Sequence, residues 1–590
     1  MSVQKSTGTT ESTEAVDVVI IGSGPTGATY AHQIHQAHPS AGVLVVEAGP
    51  ALTDPPGLHL TAVADADEHD RARVAAQGPF QHPYGIATAS AIAHNQSREE
   101  RGRALVTRPG MFPVGSGDLT GDGLPAAQQS CNVGGMGALW FGASPRPGDA
   151  ERIDCVDPEG LDEAYAIAER LLQVSGTQFS DSAFAAHLER VLGEELDEGR
   201  AQDRRVRAMP MAAVRSGNQV RRSGTDVILR ELPTGPGAGV ELRADTLCEK
   251  VLVEDGRAVG VRLRDRATGA VHVVRADYVV VAADPLRTPQ LLFASGVRPQ
   301  ALGRYLNEHP QVSVIAEVHG FGGTEGGDGG EGGGDGGVGG AGGDGGSGGE
   351  GGSGGSGASE APSGVTWIPY EGERYPFHCM LTRIDPATVA QSADSGRAGR
   401  PLVSVHLFTS QEPRADNRLE FSDTERDWIG MPAMTIHHTL DDGDRATLAE
   451  AEAEALRLSK VLGRPADGET PWILPSGSSL HYQGTVRMGA VDDGTSVCDP
   501  SSRVWGVDNL YVAGNGVIPT RTACNPTLTS VALSVLGARD IARRIRLRPC
   551  TADAAQAPEA RTTRAQAPGA QAARTTRASE TRMRDEGDHA

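Results

Sequence analysis

Lysine is almost missing from this chain. Of its 54 Lys and Arg residues only Lys5, Lys250 and Lys460 are lysines, and 76 Asp and Glu bring the net charge to -22. Phosphate backbones are held by clustered cations, so this balance excludes nucleic acid as a partner. Aromatic residues make up only 4% and hydrophobic residues 38%. The shortfall is local: residues 320–357 hold 25 of the 77 glycines, with six acidic residues and no basic one, and no aromatic residue follows position 548. The remainder has the composition of a folded enzyme, and 590 residues suit two domains. The seven cysteines are scattered, odd in number and without a Cys-x-x-Cys pair, which supports neither a disulfide framework nor a zinc site. No apolar run nears the ~18 residues of a membrane span; the longest, Tyr278 to Ala283, is strand-sized. Met1 to Ala15 is polar and lacks the apolar core of a secretion signal. These absences leave a cytoplasmic protein with no membrane partner as the expectation.

The pattern along the chain predicts a mixed α/β fold. Val16 to Glu47 reads as strand, glycine turn, helix (about Pro25 to Gln36) and strand (Val43 to Glu47), an opening βαβ unit. Residues 50–130 are rich in loop-forming residues. Leu161 to Val174 and Ser182 to Leu196 show helical periodicity. Short strands with Asp-Gly and Thr-Gly turns follow at Val251–Glu254, Ala258–Leu263, Val271–Val274 and Tyr278–Val281, then a helix from Thr288 to Ser295 and a strand over 311–318. The Gly-rich segment cannot bury enough apolar surface to offset its chain entropy, so it reads as a flexible insertion in a loop, either inert or a flap over a pocket. The resulting division is a disordered start (1–15), a discontinuous Rossmann-like domain (16–310 and 479–547), a sheet-based substrate domain (311–478, with the insert 320–357), and a disordered tail (548–590).

Two clusters at opposite ends carry the chemistry. In Gly22-x-Gly24-x-x-Gly27 the first glycine permits a tight turn, the second lets backbone approach a pyrophosphate, and the third lets helix pack on strand. Phosphates then sit on the helix N-terminus, where free N–H groups favour anions. Glu47, 20 residues past Gly27, is placed to accept from ribose hydroxyls. This fingerprint does not choose between FAD and NAD. The second cluster is Ser479-Leu480-His481-Tyr482-Gln483-Gly484, followed by Asn509 to Gly516 and Ala523-Cys524-Asn525-Pro526-Thr527. Here a base, a polar partner and a helix start meet, with proline tolerated in a first helical turn because its missing N–H would be unpaired there. A neutral imidazole accepts a proton near pH 7, and an Asn amide can hold an alcohol oxygen. Together the clusters point to a flavin enzyme.

The chain resembles the glucose-methanol-choline (GMC) oxidoreductases, and within them the pyranose 2-oxidase branch. The resemblance is carried by the βαβ unit, Asn132 to Trp140, Ala283 to Leu292, Glu412-Pro413 through Asn417-Arg418-Leu419, and both C-terminal clusters. It implies FAD as cofactor, His481 as the base and Asn525 as its partner, with hydride passing to the flavin. It places Gly134, Gly135, Met136, Leu139, Asn515, Gly516, Pro526 and Thr527 against the cofactor, and Arg418 on the substrate side. Cys248 reads either as a backbone contact to adenine or as a buried strand cysteine; His437 and His438 rank well below His481. One position departs from the fungal pyranose oxidases: Leu139 stands where their covalent FAD-linking histidine lies, so the resemblance implies non-covalent FAD. The expected reaction is oxidation of a pyranose or glycoside ring hydroxyl at C2 or C3, with electrons passed to O₂ or a quinone-like acceptor. The rivals are oxidation of a non-sugar alcohol, a lyase with FAD as bystander, and a flavin-binding interaction protein.

Overall fold

Asp17 is followed by four β-branched residues, Val18-Val19-Ile20-Ile21, and in the computed structural model all four are buried in the strand Ala15–Ile21 (β1). Such residues suit a strand covered on both faces. The structure describes residues 14–80, 108, 110–114, 123–179, 182–217, 219–233, 239–321, 364–384, 401–466 and 469–545. They all belong to one unit, Met1–Leu547. The tail 548–590 and nearly all of the Gly-rich insert lie outside the described residues. Among the described residues, Ala15 opens β1 and Glu14 is ion-paired with Arg243, both within the stretch 1–15 that the sequence reading set apart.

β1 turns at Gly22 into helix α1 (Pro25–Ala37) and returns as β2 (Val43–Val46), parallel to β1. The first sheet has the order Thr246–Glu254, Arg257–Asp265, Val271–Val281, β1, β2, Val240–Arg243. Two strands read separately in the sequence, 271–274 and 278–281, are one strand with two jobs. Its first half pairs antiparallel with Arg257–Asp265, and its second half lies parallel to β1 and to Leu510–Val512. A second sheet has the order Gly463–Pro465, Gln311–Val318, Leu402–Thr409, Phe377–Ile384, Val365–Ile368, Arg207–Ala208. Helix Asp442–Leu462 covers it through Leu448, Ala451, Ala455, Leu458 and Leu462, a helical spacing of apolar residues. Arg207–Ala208 enters this sheet from outside the 311–478 span.

Helix Thr527–Arg544 is buried over most of its length, with 527 its first residue and Pro526 its cap, one position before the first turn. It packs between α1 and helix Pro158–Leu172. The approach to α1 is close enough that a Cβ on Gly537 would lie 1.9 Å from the Tyr30 hydroxyl. In the first turn of α1, a Cβ on Gly27 would lie 2.0 Å from the Gly22 carbonyl oxygen. Backbone cannot yield as a flexible side chain can. Gly27→Ala should therefore lower stability by about 1–3 kcal/mol, the usual scale of overpacking, read as a shifted midpoint in chemical denaturation; an unchanged midpoint would contradict this packing.

Candidate active site

The glycine turn is built for a close ligand. Gly22 has φ of +102°, and a Cβ there would strike the Ala282 carbonyl oxygen at 2.2 Å. Gly24 is different: its Cβ would meet only the Gly134 oxygen, at 3.9 Å, so the space above it is open. The first turn of α1 holds no acidic residue, leaving its N–H groups to an anion. Glu47 accepts from the Ser23 N–H (3.1 Å) and hydroxyl (2.8 Å) through one oxygen and from the Gly49 N–H (3.0 Å) through the other. Burial pushes its pKa up and these donors pull it back. Glu47 thus shapes the turn itself and, being only half-buried, keeps an edge toward a ligand.

Gly134 and Gly135 lie across this turn with φ of +89° and +52°. The Gly134 N–H donates to Ser23 (3.0 Å), its carbonyl accepts from Thr225 (2.8 Å), and a Cβ on Gly135 would come within 3.3 Å of Gly24 Cα. Met136 and Leu139 follow on the same turn, both half-buried, and the Leu139 side chain lies against Gly110. Cys248 is buried in the edge strand opposite Leu263, and burial pushes its thiol up to about 12. A glycine cradle, an acid-free helix start and a half-exposed carboxylate fit the adenosine diphosphate part of a dinucleotide.

The second cluster closes on the first. The Ala523 and Cys524 N–H groups both donate to Glu151 (2.7 and 3.0 Å), whose other oxygen accepts from Gly148, which pins the segment carrying Asn525. Asn515 accepts from Ser530 (2.5 Å), and the Gly516 carbonyl accepts from Val486, tying the loop after Leu510–Val512 to the helix start. Pro526 and Thr527 open that helix, whose first N–H groups have no intrahelical partner.

His481 sits at the centre. Its Nε2 is 3.3 Å from Asn525 Nδ2 and its Nδ1 is 3.0 Å from His309 Nδ1. His309 Nε2 in turn lies 3.2 Å from Thr522 Oγ1 and 3.1 Å from the Gln483 amide. The His481 backbone N–H donates to Ser479, whose hydroxyl donates to Glu308; the same carboxylate accepts from the Gly477 N–H. Burial pushes Glu308 up to about 7. Leu480, with φ of +58°, sits in the left-handed region just before the histidine. Burial, then Arg108 and His406, pushes the pKa of His481 down to about 3. Filling the site would desolvate the half-buried ring further, in the same direction.

His481 and Asn525, named from the sequence, are thus in contact. Arg418 is not with them: its guanidinium is engaged by Glu420 (2.9 Å) and the Asp416 carbonyl (3.0 Å), on a two-stranded ribbon. His437 lies 3.2 Å from the same Glu420, and His438 is buried 2.9 Å from Gln411. Sequence reasoning missed Glu151, Glu308, His309, His378, His406 and Thr522. No local pattern marks them; all but Thr522, three residues before Asn525, are recruited from distant segments.

Residues 156–311 and 413–534 match the N- and C-terminal parts of the GMC oxidoreductase family. The chain is 44% identical over 520 residues to a C-glycoside 3-oxidase of Microbacterium trichothecenolyticum, covering 88% of this chain and 93% of the relative. It is 41% identical over 508 residues to a C-glycoside 3-oxidase of Arthrobacter globiformis (86% and 91%). It is 30% identical over 440 residues to the pyranose 2-oxidase of Tricholoma matsutake (71% and 74%). A solved structure, pyridoxine 4-oxidase from Mesorbium loti, shares the fold with a TM-score of 0.55 at 15% identity, over 89% of this chain and 99% of that one. The chain belongs to the GMC oxidoreductase family, whose members depend on FAD. Among the described residues no helix is long and apolar enough to cross a membrane.

A histidine whose pKa is depressed stays neutral until the pH falls through that lowered value. His481 should therefore show no titration between pH 8 and pH 5 in a histidine-selective NMR experiment. A midpoint near the ordinary ~6.5 would show that the ring is not held in this desolvated, cation-flanked environment.

Proposed function

We propose that this protein is an FAD-dependent oxidoreductase that converts a ring hydroxyl of a glycoside or pyranose sugar to a ketone, with His481 as catalytic base and Asn525 beside it. The carrying observation is the contact between His481 Nε2 and Asn525 Nδ2, with an uncharged imidazole and an amide donor meeting at the start of helix Thr527–Arg544. A hydroxyl brought to this pair finds an acceptor for its proton and a donor for its oxygen. A neutral histidine in a desolvated setting is ready to take that proton; a protonated one is not. When bound, FAD supplies the hydride acceptor. Its adenosine diphosphate part would be held by Gly22, Gly24, Gly27, Glu47, Gly134, Gly135 and Met136, with the Cys248 strand toward the adenine. Its flavin end would lie toward Asn515, Gly516, Pro526 and Thr527, where unpaired helix N–H groups favour negative charge.

The identity to two C-glycoside 3-oxidases, above that to pyranose 2-oxidases, supports a glycoside, C-linked in particular, and position C3. We further propose O₂ or a quinone-like compound as the final acceptor and the cytoplasm as the location, the six described cysteines all being free. The parts built on the first and second sheets would serve cofactor and substrate respectively. Arg418, engaged by Glu420, would reach a substrate only by exchanging that partner.

Under nitrogen, a C-glycoside should bleach the flavin of the wild-type holoenzyme, with a 3-keto product by NMR. His481→Ala should keep its flavin yet be reduced roughly 10²-fold or more slowly, the scale of a lost general base. Reduction within a few-fold of wild type would remove His481 from the role, and a flavin that no alcohol bleaches would favour a lyase. Leu139, and the Gly137, Ala138, Trp140 and Phe141 around it, offer no nucleophile to form a covalent flavin bond. Acid precipitation should therefore leave a colourless pellet and a yellow supernatant; a yellow pellet would mean that another residue makes the bond.

A further inference from the structure

Trp367 and His378 lie on the neighbouring antiparallel strands Val365–Ile368 and Phe377–Ile384, where Trp367 is paired with Met380 and His378 is its diagonal neighbour, ring centroids 5.9 Å apart. Both are buried, and the Trp367 indole N–H donates to His378 Nδ1 at 3.0 Å. An indole nitrogen can only donate, so Nδ1 must accept, and a neutral His378 keeps its proton on Nε2. Burial and the nearby His481 push its pKa down to about 3, so the ring is neutral. Nε2 is buried and has no hydrogen-bond partner, and the same is true of Asn525 Oδ1. One of these atoms is a donor and the other an acceptor. Asn525 is also the neighbour that favours protonation of His378.

This sets an order along the whole cluster. With Oδ1 toward His378, the Asn525 amide offers Nδ2–H to His481 at 3.3 Å. An amide NH₂ only donates, so His481 Nε2 accepts and is bare, and its proton lies on Nδ1, 3.0 Å from His309 Nδ1. His309 then accepts at Nδ1 and carries its own proton on Nε2, beside Thr522 Oγ1 at 3.2 Å. The Gln483 amide nitrogen now faces that Nε2 at 3.1 Å, so this order requires the amide to turn its oxygen toward the proton. Amides and hydroxyls can turn; the indole cannot, so the direction is imposed from the Trp367 end. Phe408, with ring centroids 5.5 Å from His378 and 5.7 Å from His481, holds the two imidazoles in register.

We propose that Trp367 and His378 are positioning residues that orient the Asn525 amide and, through it, hold His481 in the tautomer with a bare Nε2. This rests on His481 being the base, so its first test uses no substrate. In the ¹⁵N-histidine-labelled holoenzyme, His378 should be protonated at Nε2 and His481 at Nδ1. In Trp367→Phe, which keeps an aromatic ring but loses the donor, an Nε2-protonated population of His481 should appear. A wild-type His481 protonated at Nε2, or a His481 tautomer unmoved in both Trp367→Phe and His378→Leu, would overturn the proposal. The second test is the rate of anaerobic flavin reduction. His378→Leu should slow it at least about tenfold with flavin content retained, whereas His378→Gln, which keeps an N–H, should recover to within about threefold of wild type. A His378→Gln as slow as His378→Leu would also overturn it. If instead the tautomers are as stated but no glycoside reduces the wild-type flavin, the functional reading fails and the positioning claim stands.

Discussion

The burial of helix Thr527–Arg544 against α1 joins late and early segments of the described fold, and the geometry of the site depends on it. Leu528, Val531, Ala532, Leu533, Val535, Ala538 and Ile541 are all buried against elements that include α1 and helix Pro158–Leu172. Each fully buried Leu, Val or Ile contributes about 1.5–3 kcal/mol, so the contact is strong enough to set geometry. The near-touch of Gly537 and Tyr30 fixes how deep the helix sits. Because the helix begins at Thr527, its depth places Asn525, two residues earlier, against His481. A packing contact far from His481 thus helps set where the Asn525 amide lies, together with the Glu151 bonds to Ala523 and Cys524.

Around that pair the protein has removed water from several ionisable groups and replaced it with fixed donors. Glu151 and Glu308 are buried carboxylates whose pKa is pushed up by desolvation and pulled back by backbone N–H groups. Each anchors a segment: Glu151 the 523–525 stretch, and Glu308 the turn before His481. Burying a carboxylate is costly unless it is hydrogen-bonded, and here the bonds go to the loops that carry Asn525 and His481. The histidines follow the opposite sign of the same rule. His309, His378, His406 and His481 are all pushed toward the neutral form by burial. A row of neutral imidazoles is directional, because each nitrogen must be either donor or acceptor. This is why a donor-only indole at one end matters.

Much was readable from residue order alone. The glycine turn, Glu47, α1 and the strand Gln311–Val318 follow from local rules: glycine where φ is positive or backbone is close, β-branched runs in strands, an apolar stripe in helices. His481 and Asn525 were legible because the family's motifs keep them in recognisable company, at either end of a 44-residue interval that the fold closes to 3.3 Å. The sequence by itself therefore determined the α/β class, the glycine turn and the two residues, His481 and Asn525, that the fold brings into contact.

Tertiary structure decided what no local pattern encodes. The joining of 271–274 and 278–281 into one strand depends on two different partners, β1 and Arg257–Asp265, presenting edges to its two halves. The commitment of Arg418 to Glu420 depends on an exposed ribbon, not on the motif around it. His309 reaches His481 across 172 positions, and Trp367 aligns His378 from an adjacent strand. A histidine in sequence carries no sign of which nitrogen holds its proton; that is settled only when burial removes water and a neighbour with a single hydrogen-bonding role takes its place.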